Sequence, residues 1–246
     1  MIRTSNPALS DKIFAEASSN LASADSSQVM TLEGTVNKTA FSILLVAISA
    51  TITYSRPELY FLSMPAVILG AILAFTTIFK KTWAPYLTPA YALVEGVFLG
   101  AFSAFANQHY PGIAFQAASL TFGILFALLL AYRSGIIKAS ENFKLGVVAA
   151  TGGIAIVYVA SFILSFFGVE MSFLHSSSPV SIGISCFVIV IAALNLVLDF
   201  DFIENASKSG KAPKYMEWYG AFGLLITLVW LYVEIVRLMM KLYSRD

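Results

Sequence analysis

The stretch AALNLVLDFDFIEN, residues 192–205, decides the fold, because it closes a long apolar run with three acids. The run begins near Pro179 and is long enough to cross the hydrocarbon core of a bilayer as a helix. An acid at the centre of such a helix costs ~2.5–3.5 kcal/mol on insertion scales, and less near its ends. Asp199, Asp201 and Glu204 therefore either line an ion or proton route or form a solvated helix end in headgroup water.

The composition of the whole chain favours a membrane protein. Of the 246 residues, 58% are hydrophobic and only 12% are charged, which is more apolar surface than a soluble domain needs. A net charge of +1 argues against a nucleic-acid partner. The single cysteine, Cys186, excludes an internal disulfide and a cysteine-based metal cluster. Because no hydrolase, zinc-protease or phosphate-loop motif is present, we predict no enzymatic activity and no bound cofactor.

Breakers and charges separate seven apolar runs along the chain, which predicts an all-α fold, a polytopic membrane protein built as a seven-transmembrane-helix bundle. Residues 1–37 are rich in serine, alanine and asparagine, and they are predicted to form a mobile cytoplasmic N-terminal arm. Residues 38–246 are predicted to form the transmembrane domain. The predicted helices span residues 38–54, 59–79, 86–107, 112–132, 145–168, 179–203 and 216–242.

The distribution of lysine and arginine predicts the orientation. With the N-terminus inside, eleven basic residues fall in inner segments and four fall outside, which follows the positive-inside rule. We therefore expect the N-terminus to be cytoplasmic and the C-terminus to be external. The four outer basic residues are Arg56, Arg237, Lys241 and Arg245.

Asp199 is the favoured functional acid of helix 6. It is predicted to lie four residues before the inner end of the helix, about 6 Å into the membrane. Asn195 lies one turn away on the same face. Asp201 points about 200° around the helix from Asp199, so only one of the two aspartates can face the bundle axis squarely. The alternative is that both aspartates are solvated end residues.

Glu95 is the deepest acid, about nine residues or roughly 14 Å from the inner end of predicted helix 3. Gly96 and Gly100 follow it with the spacing that lets another helix approach closely. An acid beside such a contact should face protein rather than lipid, which suits a mid-membrane relay. The alternative is a neutral glutamic acid that is hydrogen-bonded for structural reasons alone.

Helix 7 carries Glu234 and Arg237, which are three residues apart and can pair on one surface. The pair is either part of a pathway or an interfacial ion pair near the outer headgroups. Gly220, Thr227 and Glu234 recur every seven residues and predict a small or polar stripe along the helix.

Five motifs are spread along nearly the whole chain: NPAL (6–9), MTLEGTVNKT (30–39), YALVEGVFLG (91–100), LNLVLDFDFIE (194–204) and EWYGAFGLLITLVWLYVEIVRL (217–238). With these motifs the chain resembles the bacterial branch of the Bax inhibitor-1 superfamily. The resemblance implies a seven-helix bundle with the last helix central, in a bacterial inner membrane. It also implies a pH-dependent Ca²⁺ leak, in which an aspartate pair on helices 6 and 7 senses pH and a basic residue latches it. Other bacterial members of the family modulate a membrane-bound AAA protease.

The resemblance transfers unevenly to individual residues. Asp199 matches the helix-6 aspartate, and Asp201 is its rival. On helix 7, matching the LY-x-acid motif selects Glu234, whereas matching Arg237 without gaps selects Thr227. Depth argues against a direct contact between Asp199 and Glu234, which should differ by roughly 20 Å along the membrane normal. The candidate latch residues are Lys80, Lys81 and Arg237.

The first functional hypothesis is a pH-sensitive leak for cations, chiefly Ca²⁺, with Asp199 as the inner gate and Glu95 as the relay. Both would be transient Ca²⁺ ligands, since carboxylate oxygens suit Ca²⁺ and protons. The expected partners are then the lipid bilayer and Ca²⁺ or protons. The second hypothesis is a regulatory protein that binds a membrane protease through its N-terminal arm. A proton-coupled transporter is a third hypothesis, but no inverted repeat supports it.

Overall fold

The computed structural model describes residues 29–169, 171, 174 and 176–244. Within these residues the chain forms seven long α-helices, and all seven are long and apolar enough to cross a membrane. The all-α, seven-span prediction is therefore confirmed. Two 3₁₀ turns, Pro57–Leu62 and Lys81–Trp83, precede α2 and α3. The helices are α1 (Leu32–Tyr54), α2 (Ser63–Phe79), α3 (Ala84–His109), α4 (Ile113–Arg133), α5 (Glu141–Ser165), α6 (Pro179–Lys208) and α7 (Met216–Tyr243).

Two helix boundaries differ from the prediction in ways that matter for the site. Helix α1 begins at Leu32, six residues early, because Thr31 caps it by accepting a hydrogen bond from the Gly34 amide. Residues 32–37 therefore belong to α1 rather than to the predicted arm, and residues 1–28 of that arm lie outside the described residues. Helix α6 continues to Lys208, five residues past the predicted end.

Helix α7 is the central helix of the bundle. It packs against α1, α3, α4 and α6. Bulky side chains such as Tyr219, Phe222 and Leu231 are completely buried along it. By contrast, the largest apolar side chains of the outer helices, such as Phe79 and Phe115, are about four-fifths exposed, as expected for surfaces that face hydrocarbon.

Helix α1 shows the reverse of a soluble amphipathic pattern. It buries only serine and threonine, whereas its large apolar residues, such as Phe41 and Leu44, are exposed. The buried hydroxyls of Thr39, Ser42 and Thr53 donate to carbonyls of the preceding helical turn, so they are satisfied without a partner helix. Small side chains of this kind let two membrane helices approach closely.

Helix α1 packs closely against α3 at two glycines of α3, Gly96 and Gly100. A Cβ atom at Gly96 would lie 2.5 Å from the Val46 carbonyl oxygen, and one at Gly100 would lie 2.4 Å from the Ala50 oxygen. Any larger residue would push the two backbones apart. The predicted close helix contact is therefore confirmed, and the helix that makes it is α1.

The helices alternate in direction, so each face of the bundle collects particular helix ends. One face, called the basic face below, holds the starts of α1, α3, α5 and α7 and the ends of α2, α4 and α6. The contacts Thr31–Glu217 and Tyr132–Glu204 lie there. Most of the lysines lie in the loops and helix ends of this face, including Lys80, Lys81, Lys208, Lys211 and Lys214.

Candidate functional site

The Asp199 carboxylate is completely buried, with 0% of the residue exposed, inside a helix that is long and apolar enough to cross a membrane. The Thr227 hydroxyl of α7 donates a hydrogen bond to Asp199 Oδ2 at 2.6 Å. The same hydroxyl lies 3.3 Å from the Gly223 carbonyl oxygen, within its own helix. The contact therefore joins α6 to the central helix at membrane depth, where intramembrane acids are most often functional.

Asp199 lies further from the end of α6 than the sequence predicts. Because α6 ends at Lys208, Asp199 lies nine residues before the helix end, about 14 Å along it rather than 6 Å. Glu95 lies eleven residues into α3, about 16 Å from its start. The two acids therefore occupy similar depths, instead of an inner tier and a middle tier.

The residue of α7 that faces Asp199 is Thr227, one of the two predicted alternatives. Glu234, the other alternative, lies seven residues beyond Thr227 on α7, which is about 10 Å along the helix. Because Thr227 contacts Asp199, Glu234 is also about 10 Å from the level of Asp199, rather than the predicted 20 Å. Glu234 is 2% exposed and its Oε1 accepts from Tyr158 of α5 at 2.9 Å. Arg237, which is half exposed, pairs with the same oxygen at 3.3 Å. Of the candidate latch residues, Arg237 is thus bound to Glu234.

Asn195 lies one turn from Asp199 on α6, as predicted. Its side-chain amide donates to the Thr151 hydroxyl of α5 and to the Ile191 carbonyl, both at 2.8 Å. Asn195 therefore ties α6 to α5 at the level next to the Asp199–Thr227 contact.

Asp201 faces a different side of α6, in agreement with the 200° angle from Asp199. Its Oδ2 pairs with Lys144 of α5 at 2.8 Å, and the Tyr132 hydroxyl of α4 lies 3.3 Å from its Oδ1. The Lys144 side chain is only 6% exposed. Tyr132 also donates to Glu204 at 2.5 Å, and Glu204 pairs with Lys208 at 2.5 Å. These five residues, called the basic-face cluster below, allow α6 to continue past the predicted end.

Glu95 faces the boundary between α3 and α2. A Cβ atom at Gly70 of α2 would lie 3.1 Å from Glu95 Oε2, so the absence of a side chain there leaves room for the carboxylate. Tyr91, one turn earlier on α3, lies beside Glu95 and packs edge-on against Phe222 of α7 with ring centroids 5.2 Å apart. Glu95 is therefore next to a residue that contacts the central helix.

The carboxylates of the part of the chain that the structure describes do not assemble into a closed metal site. Among the described residues, no three histidine, cysteine, aspartate or glutamate side chains are grouped so as to hold a metal ion. Ca²⁺ normally takes six to eight oxygen ligands. Asp199 and Glu95, the predicted transient ligands, contact α7 and α2 respectively. Transient binding of Ca²⁺ at either acid stays a prediction.

Lys80 and Lys81 lie at the turn between α2 and α3, on the basic face. The Lys80 ammonium lies 4.7 Å from the centroid of the Trp83 ring, a cation–π distance. Lys81 begins the 3₁₀ turn that packs against α7. A latch role for either lysine stays a prediction.

Glu217, in the first turn of α7, is a buried charged site that the acid pattern of the spans does not predict. Its carboxylate accepts from the backbone amide and the hydroxyl of Thr31 at 2.9 and 2.8 Å. It also pairs with Lys214 at 3.0 Å and with Lys38. Thr31, Gly34, Lys38, Lys214 and Glu217 are called the clasp below. Four of the five clasp residues lie in the motifs MTLEGTVNKT and EWYG, which were the available sequence signal, and Lys214 lies just before the second motif.

Comparison with known proteins gives a family but no individual relative. The profile of the family described as "Bax inhibitor 1 like" matches residues 6–244, which is nearly the whole chain. No curated protein matches the sequence, and no solved structure matches it. With the family profile and the seven-span bundle in agreement, the chain belongs to the Bax inhibitor 1 like family and is a multi-pass membrane protein.

Proposed function

We propose that this protein is a pH-sensitive cation leak, chiefly for Ca²⁺, gated where α6 meets α7. The observation that carries the proposal is the completely buried Asp199 carboxylate, hydrogen-bonded to Thr227 of the central helix. A buried acid at a helix–helix contact inside the membrane can change its charge, and with it the strength of that contact, in one step. That is the property a proton-controlled gate requires.

In the proposed closed state, Asp199 is ionised and accepts a charge-assisted hydrogen bond from Thr227. Such bonds are about twice as strong as bonds between neutral groups. Acidification places a proton on Asp199, removes that charge, and weakens the link between α6 and α7. The leak therefore increases as the pH falls. Glu95, at similar depth, and Glu234, nearer the opposite face, would continue the cation path.

The latch in this proposal is a base at the turn between α2 and α3. Lys80 or Lys81 would pair with the ionised Asp199 and so hold the closed state. Replacing each lysine separately by glutamine identifies which one acts. The expected result is a higher leak at neutral pH for one variant. Equal leaks for both variants and the unmodified chain would remove the latch from the proposal.

The direct test is Ca²⁺ flux into liposomes that contain the purified full chain, measured against pH. We expect flux above that of protein-free liposomes, with a larger value at acid pH. Flux indistinguishable from protein-free liposomes at every pH would disprove the leak.

Glu95→Gln tests the relay, because it preserves the shape and the hydrogen-bonding capacity of the side chain. The fold should be retained, while the flux or its pH response should change. An unchanged flux at every pH would make Glu95 a structural residue.

A second proposed role is regulation of a membrane-bound AAA protease through the N-terminal arm. The supporting observation is that the chain just before α1 is bound to the start of α7, so a partner that holds residues 1–28 could act on the central helix. Deleting residues 1–28 separates the two roles. A leak should survive the deletion, whereas co-purification with the protease should be lost.

The proposed location is a bacterial inner membrane, with the basic face in the cytoplasm. The lysines gathered on that face support this orientation. Reporter fusions after Asn107 and after Asp246 should both read external. A cytoplasmic signal from the fusion after Asp246 would reject the orientation of α7.

A further inference from the structure

The clasp gathers its donors from three separate segments of the chain. Thr31 precedes α1, Lys38 lies within α1, and Lys214 lies in the loop between α6 and α7. All three donate to Glu217, whose side chain is 0% exposed. A buried carboxylate with this many charged and backbone donors is bound far more strongly than a surface ion pair.

Local sequence at the start of α1 builds the clasp and the helix cap together. The Thr31 hydroxyl accepts from the Gly34 amide, which caps α1, and donates to Glu217. A Cβ atom at Gly34 would lie 2.2 Å from Glu217 Oε1. The carboxylate therefore occupies the space that any side chain at position 34 would fill.

Further contacts extend the clasp to the chain that precedes it. The Met30 amide donates to the Ala212 carbonyl at 2.7 Å, and Val29 forms an isolated antiparallel bridge with Pro213. Phe41 of α1 packs edge-on against Trp218 of α7. The segment before α1 and the start of α7 thus form one unit.

We infer that Glu217 is a positioning residue for the gate, which is the Asp199–Thr227 contact. We also infer that the clasp couples the N-terminal segment, residues 29–31, to α7. This inference rests on the proposed leak at Asp199 and Thr227. Thr227 lies ten residues beyond Glu217 on the same helix, about 15 Å away. A rigid helix transmits a shift at one end to the other. Displacement of the N-terminal segment opens the clasp, frees the start of α7 and weakens the Asp199–Thr227 contact.

A reversible disulfide tests the coupling without removing any clasp residue. Paired Cα atoms in an antiparallel bridge lie about 4.5–5.5 Å apart, which is within the range that a disulfide spans. The variant is Val29→Cys with Pro213→Cys, in a Cys186→Ser background. Oxidation should lower the acid-stimulated leak about tenfold, and reduction should restore it. The expected size is tenfold because a network of charged hydrogen bonds shifts the equilibrium between the closed and the open clasp by about that factor. The control is Val29→Cys alone under the same oxidant.

Equal leaks from the oxidised and the reduced double variant would overturn the coupling. The complementary test opens the clasp with Glu217→Gln or Lys38→Met, and each should raise the leak at neutral pH about tenfold. The matched control is Lys208→Met, which breaks an exposed ion pair on the same face. A leak from Lys38→Met no larger than that from Lys208→Met would also overturn the coupling.

Thiol labelling of α7 does not depend on ion flux, so it distinguishes failure of this inference from failure of the proposed leak. Ala221, one turn beyond Glu217 on α7, is completely buried. In the Cys186→Ser background, Glu217→Gln should raise the rate at which a small thiol reagent labels Ala221→Cys about tenfold. If the chain shows no flux but labelling increases, the leak is wrong and the clasp still positions α7. If labelling does not change, Glu217 does not position α7.

Discussion

The site around Asp199 and the basic-face cluster around Asp201 begin two residues apart on α6, yet they satisfy their carboxylates differently. Asp199 is completely buried and is bound by a neutral hydroxyl from the central helix. Asp201 is bound by the nearly buried ammonium of Lys144, with Tyr132 nearby. The helical angle turns one aspartate toward α7 and the other toward α4 and α5.

The chemical difference between the two partners, a hydroxyl and an ammonium, indicates which carboxylate can act as a switch. If Asp201 lost its charge, the buried ammonium of Lys144 would be left without its closest counter-ion, which is strongly unfavourable. The Thr227 hydroxyl can donate to an ionised Asp199 and accept from a protonated one. Asp199 can therefore change its charge while keeping a partner, whereas loss of the charge on Asp201 would take the closest counter-ion from Lys144.

The largest effect on stability is expected for Lys144→Met. This change leaves Asp201 largely buried and without its ammonium partner, which should lower the free energy of unfolding in detergent by about 3 kcal/mol. The double variant Lys144→Met with Asp201→Leu should recover most of that loss, because two apolar groups replace the pair. Equal losses for the single and the double variant would show that the pair itself is not what stabilises the cluster.

Thr227→Val should have the next largest effect. The substitution keeps the shape of the side chain and removes the donor to Asp199, so unfolding in detergent should become easier by about 1–3 kcal/mol. Thr227→Ser keeps the hydroxyl and serves as the control. If valine and serine destabilise the protein equally, the hydrogen bond is not the important contact.

Asp199→Asn should abolish the pH response of Ca²⁺ flux, because the amide mimics the neutral acid at every pH. A response of about tenfold, which corresponds to ~1.4 kcal/mol, should disappear. Asp201→Asn should retain the response, because that side chain faces α4 and α5. The opposite behaviour of the two variants would make Asp201 the sensor.

The smallest effect is expected for Lys208→Met. Lys208 is 69% exposed and pairs with Glu204 within one helix, so its removal should change the free energy of unfolding by about 0.5 kcal/mol or less. Glu204 keeps its hydrogen bond from Tyr132. If Lys208→Met lowers the free energy of unfolding as much as Lys144→Met does, solvent exposure does not explain which ion pair of the cluster stabilises the protein.

Particular residues show how far the sequence could predict the site. Helical periodicity separated Asp199 from Asp201, because 100° per residue is a property of the backbone. Periodicity could not choose between Thr227 and Glu234. That choice depends on how α6 packs against α7, because the hydrogen bond from Thr227 to Asp199 joins two helices.

The contacts between Glu217 and the start of α1 are an example that the sequence pattern did not predict at all. The donors to Glu217 come from positions about 180 residues earlier in the chain as well as from the adjacent loop. The serines and threonines that α1 buries are not an apolar stripe, so the usual pattern of a packed helix face does not reveal them.

The amino-acid sequence by itself determined the seven apolar spans, the close approach at Gly96 and Gly100, and the opposite directions of Asp199 and Asp201. These properties follow from hydropathy, side-chain size and the helical repeat, all of which are local. Only the tertiary structure decided that Asp199 meets Thr227, that Asp201 meets Lys144, and that Glu217 binds the segment before α1. Each of these three carboxylates takes a partner from another helix or loop, and the packing of the segments sets which partner lies within hydrogen-bond distance.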